Sequence, residues 1–295
     1  MKDYIIVTDS TIDLTDEMAK ELGILVLPMT FTIDGKDYKN YLDGREIGLK
    51  EFYQKMENGS TPKTAQLNVN YIMEHAKPVL DKNLDVLYIS FSSGLSGSFN
   101  AVRLASEQLM LDYPDAKIEI VDSLCASGGE GLLVWMAVQK KNSGATLEEN
   151  KEYLENLKLH VKHSFTVADL EYLKRGGRIK ATAAFAAKLL NIKPVLHVDN
   201  EGHLVALAKK HGRRAALNAT CENALAGLDT KAHFITIVSH ADALEDALYC
   251  KDYMEKKYAE MHFDSKVVIT DIGPVIGAHS GPGTIAVFTI SDKRQ

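Results

Sequence analysis

Val86-Leu87-Tyr88-Ile89-Ser90-Phe91, running into Ser92-Ser93-Gly94-Leu95-Ser96-Gly97-Ser98, decides the reading of the fold. The first six residues are rich in branched and aromatic side chains and read as a buried strand. A Ser/Gly loop follows, and then Asn100, Val102 and Leu109 recur at helical spacing. Strand, short polar loop and helix together make the repeating unit of a parallel α/β sheet. In such a sheet the loops at the carboxyl ends of the strands line the ligand crevice.

Working outward, the same alternation covers the first half of the chain. Residues 5–7, 24–27, 86–91 and 118–121 read as strands, and 15–22, 45–57, 68–81 and 98–111 as helices. Residues 128–141 carry an apolar face through Leu132, Leu133, Trp135, Met136 and Val138, and Asn142-Ser143-Gly144 stops it. Glycine takes the left-handed position after a helix at little cost. Thr146-Leu147-Glu148-Glu149 is a capping box opening a helix to about 160.

Beyond 160 the pattern changes. Residues 195–198 and 204–207, joined by Asp199-Asn200-Glu201-Gly202, read as an antiparallel hairpin. Helices near 215–226 and 243–258 alternate with strands at 234–239, 266–270 and 284–290. The expected fold class is α/β, with an N-terminal parallel-sheet domain flanked by helices (1–160) and a C-terminal mixed-sheet α/β domain (161–295).

Composition narrows the function. The 295 residues are 45% hydrophobic and 25% charged, ordinary for a globular protein. A net charge of −6 argues against a general nucleic-acid binder. No apolar run approaches the roughly 18 residues of a membrane span. The strand at 5–7 leaves no room for a signal peptide, and a cytoplasmic location is expected. Cys125, Cys221 and Cys250 are few and far apart, so reduced, buried thiols are expected instead of disulfides or a zinc site.

Several polar stretches are candidates for a site, each with a plainer structural reading. Thr8-Asp9-Ser10-Thr11 follows the first strand and either caps the next turn or lines the crevice. Gly94 and Gly97 let backbone approach a ligand, while Ser96 or Ser98 can equally cap the next helix. Thr61-Pro62-Lys63-Thr64-Ala65-Gln66 offers polar tips and by itself reads as a loop. Asp169 to Ile179 reads as a short helix broken by Gly176-Gly177 between arginines; Arg175 and Arg178 are either solvated or anchors for an anion.

Gly273 to Gly283, the densest Gly/Pro stretch, leads into a strand and so matches neither a dinucleotide fingerprint nor a phosphate loop. His279 within it is either a hydrogen-bonded structural residue or a donor to a ligand. Lys209 to Arg214 is a basic run that is either a solvated face or a docking site for an acidic partner. A serine-hydrolase elbow fails because Ser98 stands where its second glycine belongs, and no carboxylate presents itself as a partner for His279. Hydroxyls and helix-start N–H groups without a fixed positive charge suit a carboxylate better than a triphosphate. A binder or carrier of an acid is expected, with no catalytic residue and no metal.

Taken together, these stretches resemble the DegV family of bacterial fatty-acid-binding proteins, the lipid-carrying subunits of the fatty-acid kinase system. The resemblance rests on Val7 to Thr11, Ser93 to Gly97, Val121-Asp122-Ser123 with Ser127-Gly128 and Gly131, Leu173 to Ile179, Lys193-Pro194, and Gly273 to Gly283. It implies a long-chain fatty acid threaded into the interior, its carboxyl held by Thr64 and Ser96, with His279 and Arg175 or Arg178 around the head. It also implies a separate kinase subunit that phosphorylates the bound carboxyl with ATP and feeds phospholipid synthesis. No cofactor of the chain's own is implied, and membrane contact is transient.

The family's usual Thr-Ser-Gln-Pro-Ser reads Thr64-Ala65-Gln66-Leu67-Asn68 here, so one hydroxyl and a rigidifying proline are missing. In the basic run His211 stands where an arginine is usual, and kinase docking by Arg213 is carried over with it. Residues 181–190 and 272–276 are candidates for the tunnel wall. The alternatives are a ligand-sensing regulatory protein and a serine/histidine hydrolase or phosphotransfer enzyme.

Overall fold

The structure, a computed structural model, describes residues 2–179 and 191–294. Elements are numbered in chain order. Strands β1 (Tyr4–Asp9), β2 (Leu25–Leu27), β6 (Asp85–Ser90) and β7 (Ile118–Asp122) form a sheet in the order β2-β1-β6-β7, parallel throughout. Parallel neighbours need long crossovers. Helices α1 (Asp16–Leu22) and α4 (Ser98–Asp112) supply two of them, and α3 (Val69–Leu80) leads into β6. Asp9 pairs with Leu27 and Ser90 with Asp122, so the strands finish together. The segments after β1, β6 and β7 therefore share one rim.

The second sheet contains β8 (Val161–Thr166), β9 (Ile192–Val198), β10 (Leu204–His211), β11 (Thr236–His240), β12 (Val267–Asp271) and β13 (Ile285–Ile290), in the order β10-β9-β8-β13-β11-β12. Only β11 and β12 pair in parallel. Side chains alternate across it, as strand geometry requires. Ala286 and Phe288 pack in the larger core, whereas Ile285 and Val287 pack against Leu217, Cys221 and Cys250 of helices α8 (Arg213–Leu225) and α9 (Leu244–Met261).

Helix α5 (Gly128–Asn142) lies between the two sheets. Every residue from Gly128 to Val134 is buried, and Leu132, Leu133 and Met136 share one core with Leu87 of the first sheet and Phe288 of the second. Its glycines make this close approach possible. A Cβ on Gly128 would press on Ile237 and Phe288, one on Gly129 would overlap His163, and one on Gly131 would press on the Ile12 carbonyl. Helix α6 (Leu147–Leu157) follows, with both bonds of its predicted capping box formed.

Four features depart from the sequence expectations. The second helix, α2, begins at Leu49 and not at 45. Strand β8 was not anticipated; it is buried on both faces. A small antiparallel sheet of β3 (Thr30–Ile33), β4 (Lys36–Lys39) and β5 (Lys63–Ala65), in the order β4-β3-β5, occupies two stretches with no strand assigned, and β5 replaces the expected loop around Thr64. The Gly/Pro stretch holds a short helix, α10 (Pro274–Ser280), where no helix was assigned. Pro274 stands in its first turn, where the missing N–H costs nothing. Gly277 is tolerated because a Cβ there would overlap the Tyr53 hydroxyl.

Among the described residues no helix is long and apolar enough to cross a membrane. All three cysteines are free and buried.

Candidate functional site

A cavity of about 340 Å³ opens between the rim of the parallel sheet, the small sheet and the inner face of the mixed sheet. That volume is in the range of small-molecule sites. Most of the wall is apolar: Phe91 and Leu95 come from the serine loop, Phe165, Val198, Leu204 and Phe288 from the mixed sheet, and Ile272, Val275 and Ile276 from the approach to α10 and the helix itself. The predicted wall at 272–276 is thus represented. The candidate at 181–190 lies outside the described residues.

The cavity's polar groups come from far-separated segments. Thr64 stands in the middle of β5, where pairing with Phe31 of β3 fixes its direction. Ser96 lies in a turn after β6, in which the N–H groups of Leu95 and Ser96 both donate to the Ser92 carbonyl at 3.1 Å. Ser96 Oγ accepts from Ser98 N at 3.2 Å and shares a proton with Ser98 Oγ at 3.0 Å. A Cβ at Gly97 would meet the tip of the Gln66 side chain, which also lines the cavity.

His279 ends α10. Its Nε2 is 2.8 Å from Thr64 Oγ1, and its Nδ1 is buried with no partner. Burial, and then the Arg178 guanidinium, push its pKa down to about 4. The ring is therefore neutral near pH 7 and holds one N–H. With that proton on Nδ1, a buried donor would be orphaned, which costs more than an orphaned acceptor. The proton belongs on Nε2, which donates to Thr64. The Thr64 hydroxyl proton is then free to point into the cavity.

Arg178 reaches the lining from the segment after helix α7 (Glu171–Arg175). Its Nε donates to the Leu95 carbonyl at 3.2 Å and its Nη1 to Gly176 at 2.6 Å, so it fastens the end of α7 to the serine loop. Arg175 is placed differently. It is exposed, stands over the Tyr172 ring at 5.0 Å and is not part of the lining. Thr64, Ser96, Arg178 and His279 thus meet at one cavity, and Arg175 does not join them.

The basic run is largely occupied. Arg213 pairs with Asp246 at 2.7 Å and donates to the Gly283 carbonyl at 2.6 Å, and Arg214 stacks on Tyr249 at 3.6 Å. Asp199, Glu201 and His203 at the β9–β10 loop bring ligand-type atoms within 4.8 Å of one another. Asp199 Oδ1 is already taken there by the N–H groups of Glu201 and His203.

A set of buried acids beside the cavity was not anticipated as a unit. Glu130 Oε1 accepts from Thr8 Oγ1 at 3.3 Å, and Thr11 Oγ1 lies 2.7 Å from Glu130 Oε2 and 2.5 Å from Asp9 Oδ1. One hydroxyl has one proton and cannot donate to both carboxylates. One of the two carboxyls must therefore hold a proton and donate it to Thr11, and burial raises the pKa of both. Burial, reinforced by the neighbouring Asp9 charge, raises the Glu130 pKa well above its ordinary range. Asp13, also raised by burial, accepts from Ser127 Oγ at 2.5 Å and Gly273 N at 2.8 Å. The signal was an isolated acid in Gly128-Gly129-Glu130-Gly131, inside an otherwise apolar helix.

The fold and cavity define an α/β protein built around an internal, largely apolar chamber with a few polar groups gathered on its wall. The chain belongs to the DegV family: the family described as "Uncharacterised protein, DegV family" matches residues 4–292. It is similar to a DegV domain-containing protein of Clostridium perfringens, with 38% identity over 295 residues covering 100% of both chains. Among solved structures it is similar to a DegV family protein from Thermus thermophilus described for its fatty-acid binding, with 28% identity, a TM-score of 0.87 and coverage of 99% of this chain and 100% of that one. It is equally similar to a stearic-acid-binding protein from Eubacterium ventriosum, with 28% identity, a TM-score of 0.87 and 98% of each chain covered.

Proposed function

We propose that this chain binds a long-chain fatty acid, with the acyl chain in the cavity and the carboxylate at Thr64 and Ser96, and presents that carboxylate to a separate ATP-dependent kinase. The observation that carries the reading is the contact of Thr64 Oγ1 with a neutral His279 at 2.8 Å, on the wall of a mainly apolar cavity. The relatives described as binding fatty acids support the ligand class.

The energetics favour the same division of labour. A sixteen-carbon acid has about 14 methylenes, each worth ~0.8 kcal/mol when removed from water. The gross gain, on the order of 11 kcal/mol, is reduced by the ordering of chain and ligand and still supports tight binding. The head group needs little binding energy; it needs direction. Ser96 and Thr64 donate to the carboxylate, and His279 fixes the Thr64 proton. Arg178 uses two of its five N–H donors on Leu95 and Gly176, which fixes the serine loop and holds its positive charge at the cavity wall.

With its proton on Nε2, His279 donates to Thr64 and does not serve as the base that would activate that hydroxyl, which sets this reading above the hydrolase alternative. The kinase supplies the phosphoryl chemistry and this chain supplies the positioned acceptor. Native mass spectrometry of the purified chain, followed by organic extraction, tests the proposal. One co-purifying acid of roughly sixteen to eighteen carbons per chain is expected. A bare chain that takes up no acid when mixed with palmitate contradicts it.

A further inference from the structure

Arg294 is 2% exposed, yet it makes no ion pair with a carboxylate among the described residues. Its guanidinium is satisfied by four carbonyls and a thiol. Nε donates to Val161 O at 3.0 Å, Nη1 to Leu124 O at 2.7 Å and Asp199 O at 3.1 Å, and Nη2 to Cys125 Sγ at 3.1 Å and to Lys158 O. These acceptors lie on three segments: the loop after β7, the β9–β10 loop and the approach to β8. A cation held this way stays only where the donors match the acceptors closely, and removing it strands several buried acceptors at once.

Two of those segments form the cavity wall. After Leu124 and Cys125, the first loop continues through Ala126 and Ser127, which line the cavity; Val198 and Leu204 flank the other loop and line it too. The first loop is strained. Leu124 has φ +50, and Ser127 has φ 55 and ψ −142, conformations that bulky or ordinary L-residues rarely adopt. Such residues persist only where the surroundings over-determine them. The β9–β10 loop also sits on the serine loop, through Ser92 Oγ donating to Gly202 O at 2.9 Å.

We propose that Arg294 is a positioning residue for the cavity: it pins the strained 124–127 loop and the β9–β10 loop together as one wall, and its local release opens that wall to a ligand. The ligand side of this inference rests on the fatty-acid reading above. The three cysteines provide the test. Cys125 is buried directly under Arg294, whereas Cys221 and Cys250 are buried between α8 and α9, with Cys221 Sγ 4.0 Å from Cys250 O. Local opening uncovers the first thiol alone; only larger unfolding uncovers the other two.

The native chain, free of ligand, is treated with iodoacetamide and each cysteine is followed by peptide mass spectrometry. Cys125 is expected to react at least about tenfold faster than Cys221 and Cys250. Arg294→Gln widens that ratio by about another tenfold and speeds release of bound palmitate by a similar factor, and Arg294→Lys restores part of both. Equal rates at the three thiols in the unaltered chain overturn the proposal. So does Arg294→Gln acceleration of all three by one factor, the mark of a purely structural role. If Arg294→Gln does not fold, the ratio in the unaltered chain decides. That ratio is read without ligand, so failure to bind palmitate refutes the fatty-acid reading and leaves the labelling result to judge Arg294.

Discussion

Two sets of buried polar side chains lie close to one another, and they are organised in opposite ways. Around Glu130 the hydrogen bonds turn inward: Thr8 to Glu130, Thr11 between Glu130 and Asp9, and nearby Ser127 and Gly273 to Asp13, with Asp9 Oδ2 left over. Around His279 the bonds run outward, from Nε2 to Thr64 and on into open space, with Ser96 on the same wall. Buried polar groups that satisfy one another hold loops in place. Groups aimed at a cavity are available to a ligand. The first set fixes the rim after β1 and the start of α5, and the second uses that fixed rim to meet a ligand.

The comparison breaks most visibly at Glu130. Glu130→Ala leaves Thr8 and Thr11 without their buried partner and opens a void in the central helix packing, so a stability loss of about 3 kcal/mol or more is expected by chemical denaturation. Acid affinity of the protein that remains folded stays within about threefold, because no head-group donor is touched. The reverse pattern is expected for Thr64→Ala with Ser96→Ala. Acid affinity falls by about ten- to a hundredfold in calorimetric titration, while stability moves by about 1 kcal/mol or less.

The two sets also respond to pH with opposite sign. Folding raises the Glu130 pKa well above its ordinary range, so the folded chain holds that proton to higher pH than the unfolded one. Its contribution is fully present below the unfolded carboxyl range and is lost as pH rises toward the folded pKa, by at most ~1.4 kcal/mol per pH unit. Glu130→Gln keeps the donor and acceptor pattern without the titration. Its denaturation midpoint is expected to exceed that of the unaltered chain at pH 7 and to vary less between pH 5 and 8.

His279 acts the other way. Its pKa falls from 6.5 to about 4 on folding, so the unfolded chain takes up the proton first as pH drops. Stability from this residue is present above pH 6.5 and is lost on going down toward pH 4. In His279→Asn that acid-side loss disappears, a smaller effect read from the same denaturation curves.

Legibility in the sequence followed the physics of each region. The parallel half was readable because each strand is a compact apolar run and several helices open on a capping side chain, as at Thr15, Asn68 and Thr146. The β9–β10 hairpin was readable from its polar loop. The small sheet carrying Thr64 was missed, although Asp34-Gly35 between Ile33 and Lys36 is a two-residue turn with φ 52 and 76, the left-handed pair that joins hairpin strands. Its strands mix Thr, Lys and Asp with apolar residues, so alternation was weak. Helix α10 was missed because glycine and proline density signals a loop; what makes it a helix is tertiary, the packing of Gly277 against Tyr53. Thr64, Ser96, Arg178 and His279 could be named from sequence as candidates. Their meeting point, and the exclusion of Arg175, depended on β5 and α10, the elements the pattern concealed.

The most direct measurement is calorimetric titration of the delipidated chain with palmitate and, separately, with methyl palmitate, which keeps the acyl chain and removes the anion. The account predicts saturable one-to-one binding of palmitate and binding of the ester weaker by about tenfold or more. Failure of palmitate to saturate, or equal affinity for acid and ester, would contradict it.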